Sequence, residues 1–383
     1  MIPRGEQMRR VVRLRQAPEA GQIVEIGGLF FSSTITGVDP ETGRFSAEPA
    51  RQIQAAFSNL RALLDAAELS AEEIGLVRIA VPNADVRPHV AAEWLAMFPD
   101  ARPARKVEVY ELPEGQCVNL RVTGVRGKRR QSLAGQGNAR ADPEPAGVRI
   151  GDLVFSSAIS GAHPFTGRLV GEPRDQVRQA FRNMEALLQK AGGTMDDVAH
   201  VQIFVRDRAD NDDVLAAFLE AFPEDGNRAA RKNVFDDQLT GDASVAQLQM
   251  VAVLGHGKRQ NYEVPGAAKR HPNPLGTRIG NLLFSAGIGG HDPAGREVER
   301  QVARALSNVK QLVQLAGGTL ADVAHVAFTV DDYAHTPIIL DAWRQFFPSP
   351  ADEPARHIMA FGGRDGSYQI QVHIVAVLGS ERC

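Results

Sequence analysis

Cysteine is nearly absent from this chain, with two among 383 residues, Cys117 and Cys383. Two distant thiols cannot build the disulfide lattice of a small secreted domain, and no Cys-x-x-Cys pair exists for metal or redox work. Both read as free thiols of a reducing compartment. Charge of one sign is lacking too: the net charge is −3, and aromatic residues make up 6% of the chain. A polyanion such as nucleic acid would need a basic face, so that partner is not expected. No apolar run approaches the roughly 18 residues of a membrane span. No secretory leader follows the first charges. The expectation is a cytoplasmic protein without a membrane partner. His-x-His, His-Glu-x-x-His, Gly-x-Ser-x-Gly, a P-loop and a Gly-x-Gly-x-x-Gly turn are all missing. No metal and no cofactor is expected.

Repetition fills the space those absences leave. An Ala-Arg pair recurs at Arg105, Arg231 and Arg356, each time shortly after a Phe-Pro. Similar openings precede each pair: IGGLFFSSTITGVDPETG from Ile26, IGDLVFSSAISGAHPFTG from Ile150 and IGNLLFSAGIGGHDPAG from Ile279. Each opening reads as a strand that ends in a turn, with Gly43, Gly167 and Gly295 as the positive-φ residues. A helix follows each opening. In the second copy Val177, Phe181, Met184 and Leu188 share one face at helical spacing. Gly192-Gly193 and Gly317-Gly318 stop the later two helices. A strand, a second helix and two more strands complete each copy, giving the order β-β-α-β-α-β-β. That order predicts an α+β fold in which each copy is a mixed sheet with two helices on one face. The basic, glycine-containing links set the boundaries at 1–127, 128–257 and 258–383. The uncovered sheet faces predict packing of the three copies around a pseudo-threefold axis.

Each copy resembles the RidA/YjgF family of enamine/imine deaminases. The likeness rests on the opening segment, the Gln-plus-Asn first helix, the Phe-Pro…Ala-Arg segment and the closing strand IQVHIVAV, and it spans nearly the whole chain. It implies three RidA-like (chorismate-mutase-like) units. Family members are commonly homotrimers with a ligand cleft at each subunit interface, so this chain resembles a trimer fused into one polypeptide, an intrachain pseudo-trimer. The fused assembly is expected to be self-sufficient as a monomer in solution.

The resemblance assigns roles residue by residue. The family's carboxylate-gripping Arg falls on Arg105, Arg231 and Arg356, and a planar guanidinium fork suits a carboxylate. The bland alternative is that each Arg joins neighbouring copies through an acidic residue. The family's acid in the closing strand falls on Asn119, Gln247 and Gln371. An amide orients water but takes no proton at neutral pH. The first-strand pocket falls on Ser33, Ser157 and Ala286, followed by Thr34, Ala158 and Gly287; only Gly287 keeps the family's glycine. The family's Tyr maps to Ala20, Glu144 and Asn273, and its second-helix Asn to Ala91, Leu215 and Leu340. His357, next to Arg356, is a candidate acid–base group, although strand alternation turns it to the opposite face. Gln52, Gln176, Gln301, Asn59, Asn183 and Asn308 recur on the first helices and read as structural.

These residues imply a hydrolase or deaminase acting on a C–N bond of a small carboxylated nitrogen metabolite. The alternatives are a non-catalytic small-molecule-binding member of the family, or a tautomerase or isomerase. Some family members have been called endoribonucleases, but the acidic balance of this chain argues against RNA. The third copy is nearest the family pattern, so the cleft containing Arg356 is expected to work best.

Overall fold

The computed structural model describes residues 9–135, 144–237, 239, 244–268, 271–291, 297–360 and 369–379; Gly295 and Cys383 lie outside them. The first unit contains β1 (Arg10–Arg13), β2 (Gln22–Ile26), β3 (Leu29–Ser32), β4 (Ile35–Thr36), α1 (Pro49–Ala66), β5 (Ile74–Val81), α2 (Arg87–Met97), β6 (Ala104–Val109) and β7 (Asn119–Val125). The second contains β8 (Gln131–Leu133), β9 (Gly147–Ile150), β10 (Leu153–Ser156), β11 (Ile159–Ser160), α3 (Pro173–Lys190), β12 (Val198–Val205), α4 (Asn211–Ala221), β13 (Ala230–Phe235) and β14 (Ala246–Val253). The third contains β15 (Gln260–Tyr262), β16 (Gly276–Ile279), β17 (Leu282–Ser285), β18 (Ile288–Gly289), α5 (Val298–Leu315), β19 (Val323–Val330), α6 (Thr336–Phe346), β20 (Ala355–Ala360) and β21 (Ile370–Val377).

Each unit has one seven-stranded sheet, in the orders β1-β2-β3-β7-β5-β6, β8-β9-β10-β14-β12-β13 and β15-β16-β17-β21-β19-β20. The two-residue strands β4, β11 and β18 pair with β7, β14 and β21. Among the described residues only β5–β6, β12–β13 and β19–β20 are parallel, as a helical crossover between the strands requires. The short leading strand and the two-residue strand of each unit are additions to the order expected from sequence.

Local chemistry explains the repeats. Gly27 and Gly28 both have positive φ, at 58° and 80°, which a tight two-residue hairpin between β2 and β3 demands. Proline at the first turn starts α1 and α3, where its missing N–H costs nothing. Gly192 and Gly317 follow α3 and α5 with φ of 80° and 86°, whereas Glu68 holds the same position after α1 at φ 57°. The recurring amides lock turns to helices. Asn59 Nδ2 donates to the carbonyls of Thr36 and Val38, both at 2.9 Å, and Asn183 repeats this on Ser160 and Ala162. Gln52, Gln176 and Gln301 each accept a backbone N–H from the segment leading into the closing strand.

The helices cover one face of each sheet, and each unit has its own core there. The opposite faces meet each other. Val24, Ile26 and Phe31 of the first unit pack with Val148, Ile150 and Phe155 of the second and Ile279, Leu282 and Phe284 of the third. Burying nine such side chains is worth on the order of 20 kcal/mol gross. The units therefore fold as one assembly rather than as beads on a string.

Candidate functional site

The edge strands β6, β13 and β20 carry the repeated arginines. Alternation along each strand sends Arg105, Arg231 and Arg356 to the helix side, and sends Lys106, Lys232 and His357 to the centre. Each guanidinium carbon sits over a ring of its own unit's second helix: Trp94 at 4.8 Å, Phe218 at 4.9 Å and Trp343 at 4.9 Å.

Each arginine strand then meets the next unit in a cyclic order. The Arg105 N–H donates to Ser157 Oγ at 3.1 Å, so the first cleft joins units one and two. β13 packs on β17, so the Arg231 cleft joins units two and three. The Arg356 carbonyl accepts the Thr34 N–H at 3.3 Å, so the third cleft joins units three and one. Gly287 and Gln371 consequently stand with the strand of Arg231, not with Arg356. The expectation that the third copy's residues favour the cleft of Arg356 was made without knowing which neighbouring copy completes each cleft.

The three arginines differ in their partners. Arg105 is ion-paired with Glu144 at 3.0 Å. Glu144 occupies the position matched to the family's Tyr, and its side chain is 6% exposed. Arg231 is 3% exposed, and its Nη1 is buried without a hydrogen-bond partner. No carboxylate pairs with Arg231 among the described residues, and burial lowers its pKa to about 10. On the same strand face Asn233 Nδ2 donates to Asn211 at 2.9 Å, while Asn233 Oδ1 is buried and unpartnered. Arg356 is half-buried. Burial lowers its pKa, Glu353 opposes that, and Arg344 and Arg13 add to it. Glu353 is itself held by Arg13 at 3.0 Å and by Trp343 Nε1 at 3.3 Å.

The pocket positions beside the first strand are partly consumed by the fold. The N–H groups of Ser33, Ser157 and Ala286 donate to Gln22, Ala146 and Leu275. Ser33 Oγ accepts the Gln22 N–H at 2.9 Å, and Ser157 Oγ donates to the Pro145 carbonyl at 2.7 Å. The closing-strand amides are unequal. Asn119 Oδ1 is buried and unpartnered. Gln247 Oε1 accepts from Lys106 Nζ of the preceding unit at 2.8 Å. Gln371 Oε1 lies 3.0 Å from where a Cβ on Gly287 would stand, so glycine there makes room for that amide.

His357 is nearly fully buried, at 2% exposure, and its ring centroid is 6.1 Å from that of His325. Burial pushes its pKa well down, and Arg121, His325, Lys232 and Arg78 add to that. It belongs to the central layer and does not face the cleft of Arg356. The lysines after the Ala-Arg pair went unremarked in the sequence, although "ARK" next to the inward strand face was the available signal. Burial lowers Lys106 to about 8, with Asp236 and Glu108 opposing. Among the described residues no group of three His, Cys, Asp or Glu could hold a metal, and no helix is long and apolar enough to cross a membrane.

Three mixed sheets with paired helices, and an arginine in each cleft between them, define a triplicated interface-cleft protein. The family described as Endoribonuclease L-PSP matches residues 15–125, 142–245 and 265–378. The chain belongs to this family, the RidA/YjgF group, in three successive copies. A 2-iminobutanoate/2-iminopropanoate deaminase of Dermatophagoides farinae is 33% identical over 122 residues, covering 29% of this chain and 90% of that protein. The Escherichia coli K12 protein of the same description is 29% identical over 117 residues, covering 30% and 90%. The crystal structure of the E. coli YjgF gene product is 27% identical and covers 33% of this chain and 99% of that one, with a TM-score of 0.30. E. coli TdcF with bound serine is 23% identical, covering 33% and 100%, with a TM-score of 0.31.

Proposed function

We propose that this chain is a RidA-like deaminase whose working cleft is built on Arg231, and that its substrate is a small 2-imino or enamine carboxylate. The observation that carries this reading is the buried Arg231 guanidinium with an unpartnered Nη1. A buried charge without a partner is costly. A substrate carboxylate supplies the missing partner through charge-assisted hydrogen bonds. The relatives described as imine deaminases support the reaction class.

In this reading Arg231 orients the carboxylate and Asn233 accepts from the substrate nitrogen. Gln371 holds a water through its Oε1 against the C=N carbon. Water oxygen bonds to that carbon as the C=N π pair moves to nitrogen. The substrate nitrogen, not the amide, takes the water's proton. The carbinolamine then loses ammonia and leaves a 2-oxo acid. The other two clefts stand differently: Glu144 already occupies Arg105, and Arg356 keeps Glu353 beside it.

The amides at Asn119, Gln247 and Gln371 favour a second reading, a cleft that binds carboxylates without turnover. Calorimetry with small carboxylates and a turnover assay on 2-iminopropanoate generated in situ separate the two. One lost charged contact costs about 1.5–3 kcal/mol. Arg231→Ala should therefore weaken binding about 10- to 150-fold, with Arg105→Ala and Arg356→Ala near wild type. Binding lost only in Arg356→Ala would move the site to the third cleft. Binding kept with no turnover would leave the binding module.

A further inference from the structure

In each unit the residue two places after the cleft arginine shares its strand face. That residue is Val107 on β6, Asn233 on β13 and Ile358 on β20, at one matched register beside Ile79, Ile203 and Phe328. Val107 and Ile358 pack against the apolar cores of their units. Asn233 puts a primary amide into the same seam between strand and second helix. A polar group there is costly unless it finds a partner.

One end of that amide is satisfied and the other is not. Asn233 Nδ2 donates at 2.9 Å to Oδ1 of Asn211, the first residue of α4. Arg87 and Thr336 stand at the matched helix starts, so the amide pair is peculiar to the second unit. Among the described residues Asn233 Oδ1 is buried with no hydrogen-bond partner, and so is Arg231 Nη1 on the same face. The strand face thus holds one open donor and one open acceptor, two residues apart. Two strand steps span about 6.7 Å. A carboxylate with an N–H on the adjacent carbon, each end reached by a hydrogen bond of about 2.9 Å, matches that span.

We propose that Asn233, oriented by Asn211, makes the Arg231 cleft select ligands with an N–H beside the carboxylate over their 2-oxo counterparts. This inference rests on the reading of Arg231 as the carboxylate site. An imino or amino acid fills both open groups. A 2-oxo acid fills Arg231 alone and sets its carbonyl oxygen, an acceptor, against Asn233 Oδ1. In the deamination proposed above the substrate carries the N–H and the product has lost it, so the cleft holds substrate and lets product go. Asn233 touches the ligand. Asn211 is a positioning residue, because its oxygen decides which end of the Asn233 amide the ligand meets. The other two clefts, with Val107 and Ile358 at this place, have no such means of selection.

Calorimetry on the full chain with alanine, pyruvate and propionate tests this. Leaving a buried acceptor unpaired costs roughly 5- to 150-fold in affinity. One enantiomer of alanine should therefore bind tighter than pyruvate and propionate by that factor. Asn233→Leu keeps the shape and loses the acceptor, so the ratio should fall towards one while pyruvate still binds. Asn211→Ala frees the amide to rotate and should shrink the ratio with pyruvate affinity unchanged. Equal wild-type affinities for alanine and pyruvate overturn the proposal and leave Arg231 as the carboxylate site. Pyruvate binding tighter than alanine also overturns it, and places the amide N–H rather than the oxygen in the cleft. If none of the three binds in a way that Arg231→Ala abolishes, the carboxylate reading of the cleft fails and this inference fails with it. The wild-type ratio decides whether or not the variants fold.

Discussion

Acidification should destabilise this protein steeply, well above the range where carboxylates titrate. His200, His325, His357 and His373 gather on the inner faces of the second and third sheets, with the rings of His200 and His373 4.6 Å apart. Burial is the largest cause of their low pKa values, and the neighbouring cations Arg78, Arg121 and Lys232 add to it. His200 and His325 fall to about 3. The native state keeps these rings neutral, while the unfolded chain takes protons below about pH 6.5. Unfolding thus takes up protons as pH falls from about 6.5 towards 3, and stability drops through that window. Between pH 7.5 and 5.5 each such histidine costs about 1.4 kcal/mol. His200 and His357, the most deeply buried, account for about 3 kcal/mol by themselves, and all four for about 5–6. A whole domain's stability is about 5–15 kcal/mol, so the loss should be plain in urea titrations at the two pH values, run at one ionic strength. His200→Gln should recover about 1.4 kcal/mol of the pH-dependent loss. Equal stability at pH 5.5 and 7.5, within about 1 kcal/mol, would mean that at least three of these rings are charged in the native protein, and the reasoning would fail.

Two further outcomes test the cleft and the repeat. Glu144→Gln should release Arg105 and raise the number of carboxylates bound per chain by one in calorimetry; unchanged stoichiometry would make that ion pair purely structural. Gly290→Ala should cost more than about 3 kcal/mol or abolish folding, because the added Cβ would stand 1.7 Å from the Gln301 carbonyl oxygen; a melting temperature near wild type would show that the helix start gives way easily.

The repeat made the fold legible. Three openings, three Gln-plus-Asn helices and three Ala-Arg segments are local patterns, and each local pattern constrains a local element. The leading strands escaped notice because β1, β8 and β15 span only three or four residues and gain their pairing from the next strand. The clefts were legible only in part. Strand alternation was enough to turn His357 away from Arg356. It could not say that Gly287 belongs with Arg231, because that depends on how one unit docks on the next. The Arg105–Glu144 pair was hidden for the same reason. Glu144 was visible as a departure at the Tyr position, but nothing local says that its carboxylate reaches back to the preceding unit.

The central layer explains why the copies are not interchangeable. Three copies of the first unit would put three each of Arg78, Lys106 and Arg121 on the axis against three of Glu108. Repulsion inside a low-dielectric interior would be severe. Three copies of the third would bring His357 and His373 together six times over, with no cation and no carboxylate from that layer. The fused chain instead places a cationic, an amide-rich and a histidine-rich unit side by side, so that Lys106 of one unit meets Gln247 of the next and Lys232 meets Thr329. One closing-strand amide, Gln247, is thereby matched to Lys106, the residue that follows the preceding unit's arginine. Asn119 faces the unit that carries His357, Gln247 the unit that carries Lys106, and Gln371 the unit that carries Lys232. Replacing Gln247 therefore also removes a partner of the buried Lys106, so divergence of that closing strand is tied to the centre.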